Sequence, residues 1–420
     1  MSVATDPVTN VHGTPQGRIR LGWPWLLIGI AGVLVIMSLL RIITGVDDLS
    51  SSGTIRATLI AAVPIGLAGL GGLWSERAGV VNIGLEGMMI LGTFGAGYFG
   101  YFYGPWQGVL GAILLGAAGG LLHAVATVYF GVDHIVSGVS INIIAAGAVQ
   151  YLAGMAFTGV PGGGQTQSPP IDRLPSITIS GLSEPLGEIE QKDWFFVSEF
   201  AAVLRAFVTN MSSLTVIAIA LFVLTWWVLW RTAFGLRLRS VGESPAAAES
   251  LGVNVYRYKF IAVIASGGLA GLAGGFLALV AANAFRDGQT GGRGYIGLAA
   301  MIFGNWRPGG LFAGAALFGY TDTLRLRGGG ETVHALLLLV AVFLVMLAVW
   351  QWRQHGHRSA LIAAILGVIV AGIFFASDEI PNELATMTPY VTTLLVLAVF
   401  SQNLRMPAAD GKIYRKGSVG

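Results

Sequence analysis

The sequence predicts an all-α, polytopic transmembrane helix bundle of about 10–12 spans with an inverted internal repeat. Three observations predict it. Charged residues make up only 11% of the 420 residues and hydrophobic ones 54%, whereas soluble domains carry about 25% charged residues. Apolar stretches near the ~20-residue spanning length recur along the chain. The 61 glycines are spread through those stretches, where small residues let membrane helices approach closely. A soluble core could not bury this much apolar surface, because such cores stop growing beyond ~250–300 residues. The chain has no cysteine, which excludes disulfides and thiolate metal sites and leaves the redox compartment unread.

Residues 1–23 form a polar tail with Pro7, Pro15, Arg18 and Arg20. The apolar run after it lacks a small-residue cleavage site and reads as a retained first span. The membrane domain covers 24–404, with spans predicted at 24–44, 55–75, 84–103, 106–130, 134–158, 212–231, 259–282, 294–305, 308–325, 332–352, 359–377 and 388–404. The run at 294–305 is short enough to be a half-helix, which is tolerated at membrane depth only inside protein or beside a water-filled cavity.

Basic residues near span ends set orientation. The 232–258 loop and its flanks carry Arg231, Arg237, Arg239, Arg257 and Lys259 against Glu243 and Glu249. The 405–420 tail carries Arg405, Lys412, Arg415 and Lys416 against Asp410. Both are expected in the cytoplasm, with the N-terminus and the turn holding Arg353 and Arg358 on the same side. Asp47, Asp48, the 159–211 loop, Asp378, Glu379 and Glu383 then face outward. Within that loop, DWFFVSEFAAVLRAFVT at 193–209 is amphipathic and predicts a helix lying in the interface, with a structural role.

Asn82–Met89 and Tyr295–Ile302 agree at four of eight positions. One starts a span from inside and the other from outside, as an inverted repeat around a midplane pathway requires. Chance likeness between glycine-rich segments is the competing account.

The stretch WSERAGVVNIGLEGMM at 74–89 sets charges and glycines between two apolar runs. Glu86 is costly in hydrocarbon and needs a cavity or a partner. It lines a broken-helix solute route, or it braces a helix start; these residues leave both open. Asn82 and Asn142 are the candidates for hydrogen-bonding a polar solute, with helix bridging as the alternative. His123 and His334 lack a second histidine at metal spacing and are expected to pack. Asn305, Trp306 and Arg307 mark a membrane-interface turn. Asp322 is expected to pair with Arg325.

The cytoplasmic stretch SVGESPAAAESLGV at 240–253 predicts a short helix, with Ser244 as N-cap, Pro245 at the first position and Gly252 as its stop. Its alanine-rich body offers little bulk against docking into a groove. A motor-coupling helix and an ordinary connector both fit.

The runs ERAGVVNIGLEGMM, GESPAAAESLGVNVYRYKFIAVIASGGLAGLAGGFLAL, RGYIGLAAMIFGNWRPGG, TPYVTTLLVLAVF and GKIYRKG together resemble permeases of nucleoside and simple-sugar ABC importers, the group that contains ribose and branched-chain amino acid permeases. The likeness covers roughly 55–325 and 387–417 and is strongest to the nucleoside branch; 332–377 departs from it as an inserted span pair. The resemblance implies a bacterial cell-membrane protein working with two cytosolic ABC ATPase subunits, a second permease that is often a paralogue, an extracytoplasmic substrate-binding protein and the surrounding lipid. It implies Glu243, Ala247, Ala248 and Gly252 as the ATPase-coupling set, and a translocation route past Asn82, Glu86, Asn142 and Tyr295. No catalytic residue, cofactor, metal or nucleic-acid partner is expected. ATP is expected on the partner subunits, since the chain holds four lysines and no G-x-x-x-x-G-K-[ST] loop. An ion-coupled secondary transporter would need intramembrane carboxylates, for which only Glu86 and Asp322 offer themselves. An intramembrane enzyme lacks H-E-x-x-H, G-x-S-x-G and cysteine nucleophile patterns.

Overall fold

The computed structural model describes residues 23–327, 329–353, 357–381, 384, 387 and 404–417. Helices dominate, from α1 (Trp23–Thr44), α2 (Ser52–Arg77), α3 (Leu85–Tyr103), α4 (Pro105–Tyr129) and α5 (His134–Phe157) in the first part. A hairpin of α6 (Ser180–Glu190) and α7 (Val197–Val208) follows, tied at its base by strands β1 (Ser176–Ile177) and β2 (Met211–Ser212). Then come α8 (Ser213–Arg231), α9 (Ala233–Glu243), α10 (Pro245–Ser250), α11 (Val255–Ala281), α12 (Arg293–Phe303), α13 (Pro308–Arg327), α14 (Gly329–Arg353) and α15 (His357–Ala376).

Local chemistry sets the helix starts. The Ser51 hydroxyl accepts from Thr54 N–H at α2, Asp133 from Ile135 and Val136 N–H at α5, and Asn254 from Arg257 N–H at α11. Gly104 turns the chain between α3 and α4 at φ +104°, with Pro105 opening α4. Ser244 occupies the expected N-cap of α10, yet its side chain makes no capping hydrogen bond there, so Pro245 alone marks that start.

Among the described residues seven helices, α2, α4, α5, α8, α11, α14 and α15, are long and apolar enough to cross a membrane by their own composition. This is fewer than the span estimate from sequence. The 19-residue α3 falls outside the set although it has spanning length, because it packs among α4, α5 and α11 and so need not present an apolar surface to lipid. The short α12 matches the predicted half-helix, and the span expected at 388–404 lies outside the described residues. The 159–211 loop is more ordered than its sequence suggested: α6 forms despite Pro185 and packs on α7, while Arg41 of α1 pairs with Asp193 and with buried Glu199.

The core is built by exchange between two halves. The helix α2 packs along α12 and α13, and α11 packs along α3 and α4. Each helix that precedes an echoed motif therefore lies on the helices that follow the other one. The α4–α11 contact is backbone on backbone. Gly116 and Gly120 face Gly267 and Gly271 so closely that a Cβ on Gly120 would sit 2.6 Å from Val263 O. This double small-xxx-small stripe is how membrane helices gain packing without a hydrophobic driving force between them.

Candidate functional site

Between Arg77 and Leu85 the chain leaves the helix. Residues 78–84 run past the ends of α4, α5 and α11, and neighbouring side chains bind their backbone. His123 holds Val81 O at 3.0 Å and Ser137 Oγ at 2.9 Å, His134 Nδ1 receives Val81 N–H at 3.3 Å, and Lys259 Nζ donates to Gly79 O at 3.2 Å. His123 is therefore more than packing: it takes up the backbone polarity of a non-helical stretch.

At the end of this stretch the two halves meet. Glu86, in the first turn of α3, accepts from Gly292 N–H at 2.9 Å and Gly294 N–H at 2.7 Å at the start of α12. A carboxylate there satisfies orphan amides and the positive end of the α12 dipole. A side chain at Gly294 would stand 2.6 Å from Glu86 N, so only glycine permits the approach. Asn142 of α5 bridges the same junction. Its Oδ1 accepts from Gly87 N–H at 2.7 Å, and its Nδ2 donates to Ile83 O at 3.1 Å and to the Tyr295 hydroxyl at 2.9 Å.

Glu86, Asn142 and Tyr295 thus form one cluster. Asn82 lies beside it but is fully buried, donating to Ser266 Oγ at 2.9 Å, with its Oδ1 left without a partner. Tyr295 is 47% exposed, so the cluster opens onto the outer surface of this chain rather than into an enclosed channel. The echoed octets do not share a conformation, since Asn82–Gly84 precede α3 whereas Tyr295 already lies within α12. A separate cavity of about 360 Å³ lies at the opposite end of α2, lined by Arg56, Arg173, Asn210 and Asn283. Asp322 pairs with Arg293 at 3.3 Å, a partner that sequence reasoning missed; the Arg325 side chain lies outside the described residues.

A second site forms where α2 ends. Trp306, in the turn expected at 305–307, is 4% exposed, with its ring packed inside the protein. Its indole donates to Glu76 Oε2 at 2.6 Å, and its carbonyl accepts from Arg77 Nε at 3.0 Å and Nη2 at 2.6 Å. Positive φ at Asn305 and Trp306 aims the ring inward. Next to this junction stand α9 and α10. Glu243 is exposed at the end of α9, Ala248 is buried, Ala247 is exposed, and Gly252 ends α10 at φ +81°. Leu251, which sequence reading passed over, projects with 85% exposure, as does Leu236 with 62%.

The segment 404–417 covers this face. Ala409 N–H bonds to Gly242 O at 2.9 Å, Ala408 N–H to Glu243 Oε2 at 3.2 Å and Arg405 N–H to Asn305 Oδ1 at 2.8 Å. Asp410 is 8% exposed. Burial pushes its carboxyl up to about 7; Glu76, the Gly411 N–H, Lys259 and Arg77 stand near and oppose the rise, though no hydrogen bond of normal geometry reaches its oxygens.

Residues 54–349 match the family described as branched-chain amino acid transport system / permease component. The chain belongs to that family. The permease is 35% identical to a guanosine ABC transporter permease protein of Bacillus subtilis, over 86% of this chain and 96% of the relative. It is 34% identical to a nucleoside ABC transporter permease protein of Lactococcus lactis, over 85% and 95% respectively. A second guanosine permease protein of Bacillus subtilis is 25% identical over 62% of this chain and 70% of its own. No solved structure matches the permease. It is a multi-pass membrane subunit of an ABC transporter, a class that works with ATPase and substrate-binding components. The family match runs to residue 349 and so includes most of α14.

Proposed function

We propose that this permease imports nucleosides by alternating access, driven by ATPase subunits that dock on α9 and α10. The observation that carries the solute class is the near full-length likeness to guanosine and nucleoside permeases. The exposed Tyr295 and the half-buried Asn142 suit such a solute, offering an aromatic face and neutral hydrogen-bonding groups.

Because the Asn142–Tyr295 cluster lies on the surface of one chain, the route runs between this permease and a second one. Likeness to two different guanosine permease chains of one bacterium supports a paralogue as that partner. An extracytoplasmic binding protein delivers the solute, and both chain ends lie in the cytoplasm of a bacterial cell. Glu86, with Asn82 behind it, holds the starts of α3 and α12 together rather than contacting the solute. ATP closure of the motor displaces α10 through Glu243, Ala247, Ala248 and Gly252; the ATP shifts the equilibrium by its differential affinity for the motor's two states. The chain itself carries out no covalent chemistry and needs no cofactor.

The test is ATP-dependent uptake of purine and pyrimidine nucleosides, against ribose, glucose and branched-chain amino acids, in cells with and without the gene. Uptake of nucleosides that vanishes on deletion and returns with the wild-type gene supports the reading. Gene-dependent uptake of a sugar alone transfers it to simple sugars.

A further inference from the structure

The segment 405–414 touches six separate parts of one face. Arg405 binds the α12–α13 turn at Asn305, and Ala408 and Ala409 bind the end of α9. Asp410 enters among Glu76, Arg77 and Lys259. Gly79 and Val81 of the non-helical stretch lie under Ala409 and Gly411: a Cβ at Gly79 would be 3.1 Å from Ala409 O, and one at Gly411 would be 3.5 Å from Val81. Ile413 covers Gly131 between α4 and α5. Tyr414 packs on Val241, Ala248 and Val255, with its ring 5.4 Å from that of Tyr256 and its hydroxyl reaching Glu249 of α10.

A surface tail needs none of this. Burying a carboxylate costs free energy unless charges or hydrogen bonds offset it, and here Lys259, which also holds Gly79 O, stands between the tail and the non-helical stretch. The helix α10 is only six residues long and rests on the bundle mainly through α9, the start of α11 and Tyr414. A push on so short a helix reaches the Gly79–Glu86 stretch by two routes, through α9, whose Gly242 lies against Gly79, and through Tyr414, the 409–411 turn and Gly79. Coupling between sites needs such a contiguous element with two arrangements.

We propose that residues 405–414 are a transmission strap, carrying the displacement of α10 to the Gly79–Glu86 stretch, with Asp410 as the positioning residue that pins the strap and Tyr414 as its contact to α10. The proposal rests on the importer reading above and adds a part to it. Removing the pin leaves the ATPase partners docked and turning over while the route no longer follows them.

The test reconstitutes the complete assembly, with its ATPase and second permease, in liposomes containing nucleoside-loaded binding protein, and reads ATP hydrolysis and uptake in parallel. Wild type is compared with Asp410→Ala, Tyr414→Ala and a chain ending at residue 404, with the neutral isostere Asp410→Asn as the docked control that keeps wild-type coupling. Transmission requires assembled complexes whose hydrolysis stays within about twofold of wild type while solute moved per ATP falls about 5- to 150-fold, the usual span of intersite coupling. Hydrolysis and uptake falling together, or unchanged uptake per ATP, overturns it. Where the shortened chain does not assemble, Tyr414→Ala decides alone, since that side chain is only half-buried at the edge of the bundle. If wild type moves a sugar and no nucleoside, the solute reading fails and the strap is judged on the sugar by the same ratio.

Discussion

The Trp306 indole donates its hydrogen bond to Glu76 Oε2 at 2.6 Å while Arg77, the next residue, clamps the Trp306 carbonyl through two nitrogens. One turn between α12 and α13 is thereby fastened to the last turn of α2 at two successive residues. Replacing Trp306 by Phe removes the donor and leaves a buried carboxylate oxygen unsatisfied, at a cost of about 1–3 kcal/mol. Thermal unfolding of the purified chain in detergent will show a lowered midpoint for Trp306→Phe. Adding Glu76→Gln will recover part of the loss, and strict additivity of the two changes would count against the pairing.

Glu86 serves α12 from across the molecule, and its replacements separate charge from shape. Glu86→Gln keeps one acceptor and loses the interaction with the helix end, whereas Glu86→Ala leaves two amides unsatisfied. Charge-assisted bonds of this type contribute about 1.5–3 kcal/mol each. Uptake in cells expressing equal amounts of protein will rank wild type above Glu86→Gln above Glu86→Ala. An alanine variant as active as wild type would sink the clamp.

The α4–α11 stripe allows a steric prediction with an internal control. Gly271→Val drives a branched side chain into Ala112 O and the Gly116 backbone, while Gly372 of α15 has open space where a Cβ would stand. Overpacking a tight contact costs about 1–3 kcal/mol or more. Yield of monodisperse protein after detergent extraction will fall sharply for Gly271→Val and stay level for Gly372→Ala.

Tail docking depends on pH in a defined direction. The Asp410 carboxyl stands at about 7 in the folded chain and near about 3.9 when unfolded. Between those values the folded state holds a proton that the unfolded state lacks, so stability falls as pH rises. The contribution is full below about 4 and lost above about 7. Limited trypsin cleavage at Lys412 and Arg415 will accelerate between pH 6 and 8, both values bracketing the carboxyl at about 7, and the acceleration will disappear in Asp410→Asn. Equal acceleration in both proteins would assign the effect to another group.

Leu251 is a cheap probe of the motor-facing surface. It is 85% exposed, so Leu251→Asp leaves the bundle untouched while placing a charge at the tip beyond α10. Co-purification of the ATPase subunits will drop at unchanged thermal stability of the permease, and undiminished co-purification moves the docking surface elsewhere.

Sequence carried the helices well because lipid imposes a one-dimensional rule: length and apolarity decide a span whatever its neighbours. That rule also found α3, expected at 84–103 and observed at Leu85–Tyr103, but not its burial among other helices. It was silent on α6, where Pro185 and small residues hide a helix held by tertiary contacts with α7. Glu86 and Asn142 stood out as polar groups in apolar runs, but their actual partners, Gly292, Gly294 and Gly87, are backbone amides that no residue type announces. The burial of Trp306 was hidden for the same reason. Its place in a turn was legible, whereas the positive φ that sends its ring inside was not. The strap was legible merely as a basic tail, because Arg405, Ala408 and Ala409 bind through backbone amides that no residue type announces.

The reach of Glu86 across 206 residues to Gly292 has a consequence for how the chain is made. At about 5–20 residues per second of synthesis, roughly 10 to 40 s separate the appearance of the acceptor from that of its donor. Over that interval α3 enters the membrane with an uncompensated carboxylate near its start, and α2 lacks the α12 and α13 surfaces that it finally covers. The nascent first half must therefore wait with water or an insertase at Glu86, and the bundle locks only when the second half arrives.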